Sequence, residues 1–254
     1  MEFTDEQMDR YLRQIILKEV GALGQEKLLR AKVLIIGAGG LGSPAAMYLA
    51  AAGVGNICIA DADKVDLTNL QRQIIHSTED LGMQKVQSAK ETINRLNPDV
   101  KVDVFPEYVT EKNVRNLVKK YDFIVECTDN FDTKFLINDA CVRERKPFSH
   151  GGITGFKGQL MTYVPDKGPC YRCVFGEPPQ MCESALGCQV GILGAVSGVI
   201  GCLQAAETLK YILEIGELLT GKLLTYDALT MNFRTVMLPK ETSHCSVCGE
   251  KNSA

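Results

Sequence analysis

The stretch KVLIIGAGGLG, residues 32–42, decides the fold. Its first half is a short β-branched apolar run, which predicts a strand buried on both faces. Its second half places glycine at 37, 39 and 42, the GxGxxG spacing, with Gly40 as an extra. The next residues, SPAAMYLAAAG, are rich in small helix formers and stop at Gly53, so a helix is predicted directly after the loop. In such a strand–loop–helix unit the glycines let the backbone approach phosphates. The helix amino end adds N–H donors and positive dipole.

Outward from this unit the same rhythm repeats. NICIAD is a second strand that ends in Asp61, 24 residues after Gly37, close to where an acid binds ribose hydroxyls. MQKVQSAKETINRLNP carries apolar residues at helical spacing and ends at Pro98. KVDVFPEYV, TEKNVRNLVKKY and DFIVECTD read as strand, helix and strand; FDTKFLINDACVRERK and PFSHGG read as helix and strand. Alternation of this kind predicts an α/β, Rossmann-like, mostly parallel sheet with helices on both faces. From about residue 155 the pattern changes. FKGQLMTYV alternates as an antiparallel strand does, VGILGAVSGVIGCLQAAETLKYILEIG is a long helical region, and KLLTYDA with MNFRTVML reads as a closing hairpin. The first thirty residues read as helix with a break near Gly21 and Gly24. No linker is visible, so one domain is expected over residues 1–254. It comprises a helical arm (1–30), a nucleotide-binding part (31–154) and an extension of the sheet by antiparallel strands (155–254).

Composition narrows the function. The chain has 254 residues, 45% hydrophobic and 23% charged, the profile of a globular protein with a sizeable core. A net charge of −3 argues against a nucleic-acid partner, which usually leaves a basic excess. There is no apolar run of about 18 residues to suggest a membrane span. The opening MEFTDEQMDRYLRQ lacks a secretory apolar segment, so a cytoplasmic location is expected.

The glycine loop alone does not separate a redox dinucleotide from ATP; DKVDLTNLQRQ, residues 63–73, does. A hydride-transfer enzyme has no evident use for Asn69 and Arg72 so soon after the ribose acid. Lys85, opening the next helix, adds a cation. Two cations and an amide suit a triphosphate better than a pyrophosphate bridge. Asp129, in CTDN at the carboxyl end of another parallel strand, lies where ligands bind in such sheets. A carboxylate beside a polyphosphate is repulsive unless a metal lies between, so Asp129 reads as a magnesium ligand. Taken singly, Arg72 and Lys85 would read as solvated helix charges, and Asp129-Asn130 as a helix cap. Together they favour ATP with magnesium over the alternative, an NAD-dependent oxidoreductase with a structural zinc. A scaffold that only binds a partner would not need the full phosphate set.

Ten cysteines in a reducing compartment point to burial, metal ligation or catalysis. Cys58, Cys127, Cys141 and Cys202 lie in apolar surroundings and read as core. CYRC at 170–173 and CSVC at 245–248 form two CxxC pairs 71 residues apart. Cys170, Cys173, Cys245 and Cys248 therefore predict a closed, structural zinc site that pins the carboxyl-terminal tail. His76, His150 and His244 show no pairing that suggests a base or ligand set.

GAGGLG, the DxD of DADKVDLTNLQRQ, CTDN, the paired CxxC motifs and RYLRQIIL resemble the ThiF/MoeB/HesA family, bacterial relatives of ubiquitin-activating enzymes, over residues 5–250. The resemblance implies an adenylyltransferase acting on the carboxyl terminus of a ubiquitin-like sulfur carrier protein, of thiamine or molybdopterin type. By that resemblance Gly40, Asp61, Asn69, Arg72, Lys85, Asp129 and Asn130 are nucleotide residues, and Arg13 reaches the phosphates of the neighbouring subunit in a homodimer. Residues 155–254 are then the carrier-binding and zinc-bearing part. Some members use a cysteine before the GILGAVSGVIG helix to receive the acyl group or sulfur; Cys188 is the nearer candidate and Cys182 the alternative. Lys134 stands where the family more often has arginine, which puts a phosphate role there in doubt. With six residues after Cys248, no rhodanese-like domain is expected, and sulfur is expected to come from a separate donor.

Overall fold

The computed structural model describes residues 3–177, 191–239, 242 and 244–249. Its centre is an eight-stranded sheet whose strands were all foreshadowed by the alternation in the sequence. In chain order they are β1 (Lys32–Ile36), β2 (Asn56–Ala60), β3 (Lys101–Phe105), β4 (Phe123–Glu126), β5 (Phe148–Thr154), β6 (Lys157–Tyr163), β7 (Lys222–Asp227) and β8 (Asn232–Met237). Their order across the sheet is β3-β2-β1-β4-β5-β6-β7-β8. The pairs from β3 to β5 are parallel and those from β5 to β8 antiparallel.

The apolar run of β1 is continuous because the strand is covered on both faces. Val33 and Ile35 point into one core, while Leu34 and Ile36 point into the other. The same split divides Ile57 and Ile59 from Cys58 and Ala60 on β2, and Phe123 and Val125 from Ile124 on β4. Each valine, leucine, isoleucine or phenylalanine among them, taken from water, contributes roughly 1.5–3 kcal/mol.

Helices α1 (Asp5–Ile15), α2 (Gly21–Arg30), α3 (Gly42–Ala51) and α4 (Lys85–Leu96) precede β3 in sequence. Then come α5 (Val114–Val118), α6 (Phe131–Arg143), α7 (Tyr171–Phe175) and α8 (Gly194–Leu213). A capping box opens α1: the Gln7 N–H donates to the Thr4 hydroxyl, and the Thr4 N–H donates to the Gln7 side chain. Residues 16–20 separate α1 from α2, and Gly21, at φ +59, lets the second helix begin. Gly24 lies inside α2 rather than at the break.

Three elements are shorter than their patterns predict. β3 stops at Phe105 because Pro106 has no N–H to continue the ladder. Only Val114–Val118 of TEKNVRNLVKKY is regular helix. α8 begins at Gly194 and ends where Glu214 turns left-handed, at φ +59. α7 is a single turn that the sequence pattern did not announce. No helix among the described residues is long and apolar enough to cross a membrane.

Candidate functional site

β1 runs to β2 on one side of the sheet, and β4 returns on the other. The crevice at the carboxyl ends of β1 and β4 is therefore the place where strand order reverses, and ligands bind there in open α/β sheets. The glycine loop lies across this crevice. Gly37 sits at φ +102, and a Cβ there would lie 2.6 Å from the Cys127 carbonyl oxygen. A Cβ on Gly42 would lie 1.9 Å from the Gly37 oxygen, so the loop closes on α3 only with glycine at both positions.

Two side chains clamp the peptide groups of Ala38 between these glycines. Its N–H donates to Asp61 Oδ2 at 2.8 Å, and the other carboxylate oxygen of Asp61 accepts from the Asp63 N–H at 2.8 Å. The Ala38 carbonyl lies 3.0 Å from His76 Nε2, while His76 Nδ1 is 2.7 Å from the Ser88 hydroxyl. A carbonyl only accepts, so Nε2 carries the proton and Nδ1 receives the hydroxyl hydrogen. Burial pushes the His76 pKa down and keeps the ring neutral.

The segment after Asp61 is built from its own polar residues. Asp66 caps a 3-10 turn, Leu67–Asn69, by accepting from the Thr68 N–H at 2.9 Å. Asn69 Oδ1 in return accepts from the Asp66 N–H at 3.0 Å. Arg72 donates to the Thr68 carbonyl at 3.1 Å, and its Cγ lies 3.3 Å from where a Gly40 Cβ would be. Gly40 thus leaves room for Arg72 against the loop. Lys85 is buried at the start of α4, its Nζ 2.9 Å from Asp63 Oδ2. The structure therefore brings Gly37, Gly39, Gly40, Gly42, Asp61, Asn69, Arg72 and Lys85 to the carboxyl ends of β1 and β2.

Asp129 and Asn130 follow β4 on the other side of the crevice, and both are exposed. Asn130 caps α6, its Oδ1 accepting from the Thr133 N–H at 2.8 Å. Among the described residues the Asp129 carboxylate has no hydrogen-bond or ion-pair partner.

Beneath this turn lies a group that sequence reasoning missed. Glu126, the last residue of β4, is buried with Lys134 and His150. Lys134 Nζ lies 3.1 and 2.9 Å from the two carboxylate oxygens and 3.0 Å from the Gly151 carbonyl. His150 Nδ1 is 2.7 Å from Glu126 Oε2. Burial alone would raise the Glu126 pKa, but the Lys134 ammonium and the His150 hydrogen bond hold it down at about 2. Burial, together with the Lys134 charge, pushes His150 down. The lysine that stands where arginine was expected spends its ammonium on this buried carboxylate and the Gly151 carbonyl. His150 does have a partner, contrary to the sequence reading. The one available signal was the two-residue spacing of Glu126 and Thr128 at a strand end.

The four cysteine sulfurs of the two CxxC pairs lie within 4.8 Å of one another, with close pairs at 3.8, 3.7 and 3.2 Å. Zinc–sulfur bonds of about 2.3 Å in a tetrahedron require sulfurs about 3.8 Å apart, so the cluster fits zinc with no open position. Burial pushes Cys173 up to about 12. Cys245, despite burial, is held at about 7 by N–H bonds from Cys248 and Val247. Cys58, Cys127 and Cys141 are buried, while Cys202 is half-buried. Arg13 does not join the crevice of its own chain. Its helix is tied to Ala52, Leu96 and Asp99, at the amino-terminal ends of β2 and β3. Cys182 and Cys188 lie outside the described residues.

The sequence profile of the ThiF family matches residues 11–247. The chain belongs to the ThiF family. Among curated members it is 47% identical over 245 residues to the SAMP-activating enzyme E1 of Haloferax volcanii, covering 96% of this chain and 90% of that protein. It is 43% identical to the sulfur carrier protein adenylyltransferase of Thermus thermophilus, covering 99% of this chain and 94% of the other. The adenylyltransferase and sulfurtransferase MOCS3 of Culex quinquefasciatus is 44% identical over 99% of this chain, which spans 58% of that protein's length. Among solved structures, Escherichia coli MccB with MccA-N7isoASN superposes with a TM-score of 0.85 at 26% identity, over 96% of this chain and 75% of that one. MccB with ATP superposes with a TM-score of 0.81 at 26% identity, over 95% and 74%. ThiF-family adenylyltransferases use ATP, and this ThiF-family chain is a nucleotidyltransferase. Nothing in these likenesses supports the dehydrogenase alternative.

Proposed function

We propose that this chain adenylates the carboxyl-terminal carboxylate of a ubiquitin-like sulfur carrier protein with ATP and releases pyrophosphate. The observation that carries the reading is the meeting of the glycine loop, Asp61, Arg72, Lys85 and the unpartnered Asp129 around one switch-point crevice. A carboxylate repels nucleophiles and has a poor leaving group; joined to AMP it loses its charge and gains a good one. The carrier carboxylate attacks the α-phosphorus, the bond to the bridging oxygen breaks, and pyrophosphate leaves with the electron pair. Positioning and charge stabilisation suffice for this step. Asp61 and Asn69 would hold the nucleoside, Gly40 the phosphates, and Arg72 and Lys85 their charge. Lys85 would exchange or share its bond to Asp63 when phosphate arrives.

Asp129 and Asn130 would face the triphosphate from β4, and the free, exposed carboxylate of Asp129 suits a hard cation. Magnesium held there would screen the phosphates from the incoming carboxylate. Zinc at Cys170, Cys173, Cys245 and Cys248 would be structural. Arg13, remote from its own crevice, would serve a partner subunit in a homodimer. Cys188, or else Cys182, would be the acyl- or sulfur-accepting thiol, with sulfur supplied by a separate donor.

The carrier would dock along β8, an edge strand exposed at every residue and continued by Leu229 and Met231, which are 70% and 69% exposed. Open sheet edges with apolar side chains accept an added strand. Phe233→Asp should raise KM for the carrier while leaving KM for ATP unchanged; equal effects on both would move the docking face elsewhere. The deciding assay is carrier-dependent exchange of labelled pyrophosphate into ATP. Wild type should exchange. Asp129→Ala should keep its circular dichroism and lose exchange, and retained exchange would remove Asp129 from the reaction.

A further inference from the structure

The turn that carries Asp129 is fastened on both sides while the aspartate itself is left free. On its carboxyl side, Asn130 is tied to the first turn of α6. On its amino side, Thr128 donates twice to one oxygen of Glu126, from its N–H at 2.7 Å and from its hydroxyl at 2.5 Å. That carboxylate is itself held by Lys134 and His150 from α6 and β5. Every acceptor position of Glu126 is used, in a place where a loose charge would be costly. His150 extends the hold to α7, its ring 4.5 Å from Tyr171 and 5.8 Å from Phe175.

Stability alone does not explain this arrangement. A buried ion pair is often no better than apolar residues of the same volume, so the two bonds spent on Thr128 call for another reason. A magnesium ligand is that reason, because a cation with strict geometry needs its carboxylate held in place.

We propose that Glu126, fixed by Lys134 and His150, is the positioning residue that sets Asp129 for its metal through Thr128. The inference rests on the proposed adenylation reading and adds a residue to it. Glu126 touches neither nucleotide nor metal and acts only through the turn.

The test compares wild type, Thr128→Val, Glu126→Gln and Asp129→Ala by two readouts. Electron paramagnetic resonance measures manganese, as a stand-in for magnesium, bound in the presence of a non-hydrolysable ATP analogue. Pyrophosphate exchange is followed against magnesium concentration. Both are expressed per folded molecule. Thr128→Val, which spares the buried ion pair, should weaken manganese binding about tenfold, the equivalent of one hydrogen bond to a charged group, and leave metal-free nucleotide affinity unchanged. Glu126→Gln should weaken it further, and adding Thr128→Val to Glu126→Gln should have little extra effect, since one acts through the other. If Glu126→Gln fails to fold, Thr128→Val alone decides. Wild-type manganese affinity in Thr128→Val and Glu126→Gln, with binding lost in Asp129→Ala, overturns this inference and leaves the adenylation reading intact. A wild-type protein without carrier-dependent exchange overturns that reading first, and this inference with it.

Discussion

At the scale of single residues, the site is organised by uncharged or neutralised groups that hold charged ones. His76 and His150 are both buried, and both have pKa values pushed below the ordinary 6.5, chiefly by burial. A lowered pKa means that the unfolded chain takes up the proton first. Their contribution is therefore present above pH 6.5 and is lost as pH falls below it. Glu126, lowered from 4.5 to about 2, adds a second loss below pH 4.5. Thermal melts between pH 8 and about 2 should show Tm falling in these two stages, and His76→Asn should reduce the upper one. A Tm independent of pH between 7 and 5 would contradict the neutral-ring assignment. Of the site's residues the sequence displays the charged functional ones. Asp61, Arg72, Lys85 and Asp129 announce themselves by chemistry at strand ends. His76 and Glu126 gain meaning from partners 38 and 24 positions away, and no local spacing encodes that.

At the scale of elements, legibility follows the range of the forces involved. β1, β2 and β4 are plain in the sequence because burial on both faces demands an unbroken apolar run. α7 is not, since a single turn is set by what anchors it: Cys170 just before it, Cys173 within it, and the Tyr171 N–H donating to Asn138 at 2.8 Å. Zinc is then expected to hold α7 and the tail around Cys245 as one unit. Purified protein should carry one zinc per chain. Chelation that costs even about 3 kcal/mol should lower Tm by about 6–12 °C, as should Cys245→Ser. Well below one equivalent of zinc, or an unchanged Tm on chelation, would make the cluster a set of plain thiols.

At the scale of the whole molecule, the sheet joins a parallel half, which carries the proposed nucleotide crevice, to an antiparallel half whose last strand, β8, is an edge among the described residues, and α1 sits at the far end from the crevice. The proposed role of Arg13 thus requires a subunit boundary, and this yields a genetic test. Arg13→Ala and Asp129→Ala should each abolish exchange alone. Co-expressed, they should regain it, because in the proposed dimer a mixed pair would hold one crevice with its own Asp129 and an intact Arg13 from the partner. Absence of rescue in a verified mixed dimer would place Arg13 outside the reaction.

The pairing of β1 with β4 also sets an order of assembly. Val33 lies against Phe123, ninety positions on, whereas Thr154 meets Lys157 across a tight turn. Local hairpins close early and distant parallel pairs close late. On a ribosome the glycine loop emerges long before Cys127, whose carbonyl packs against Gly37. The glycine loop, the proposed phosphate cradle, is therefore made well before the residues it closes on and takes shape only after them, and a nascent chain arrested before residue 126 should bind no nucleotide.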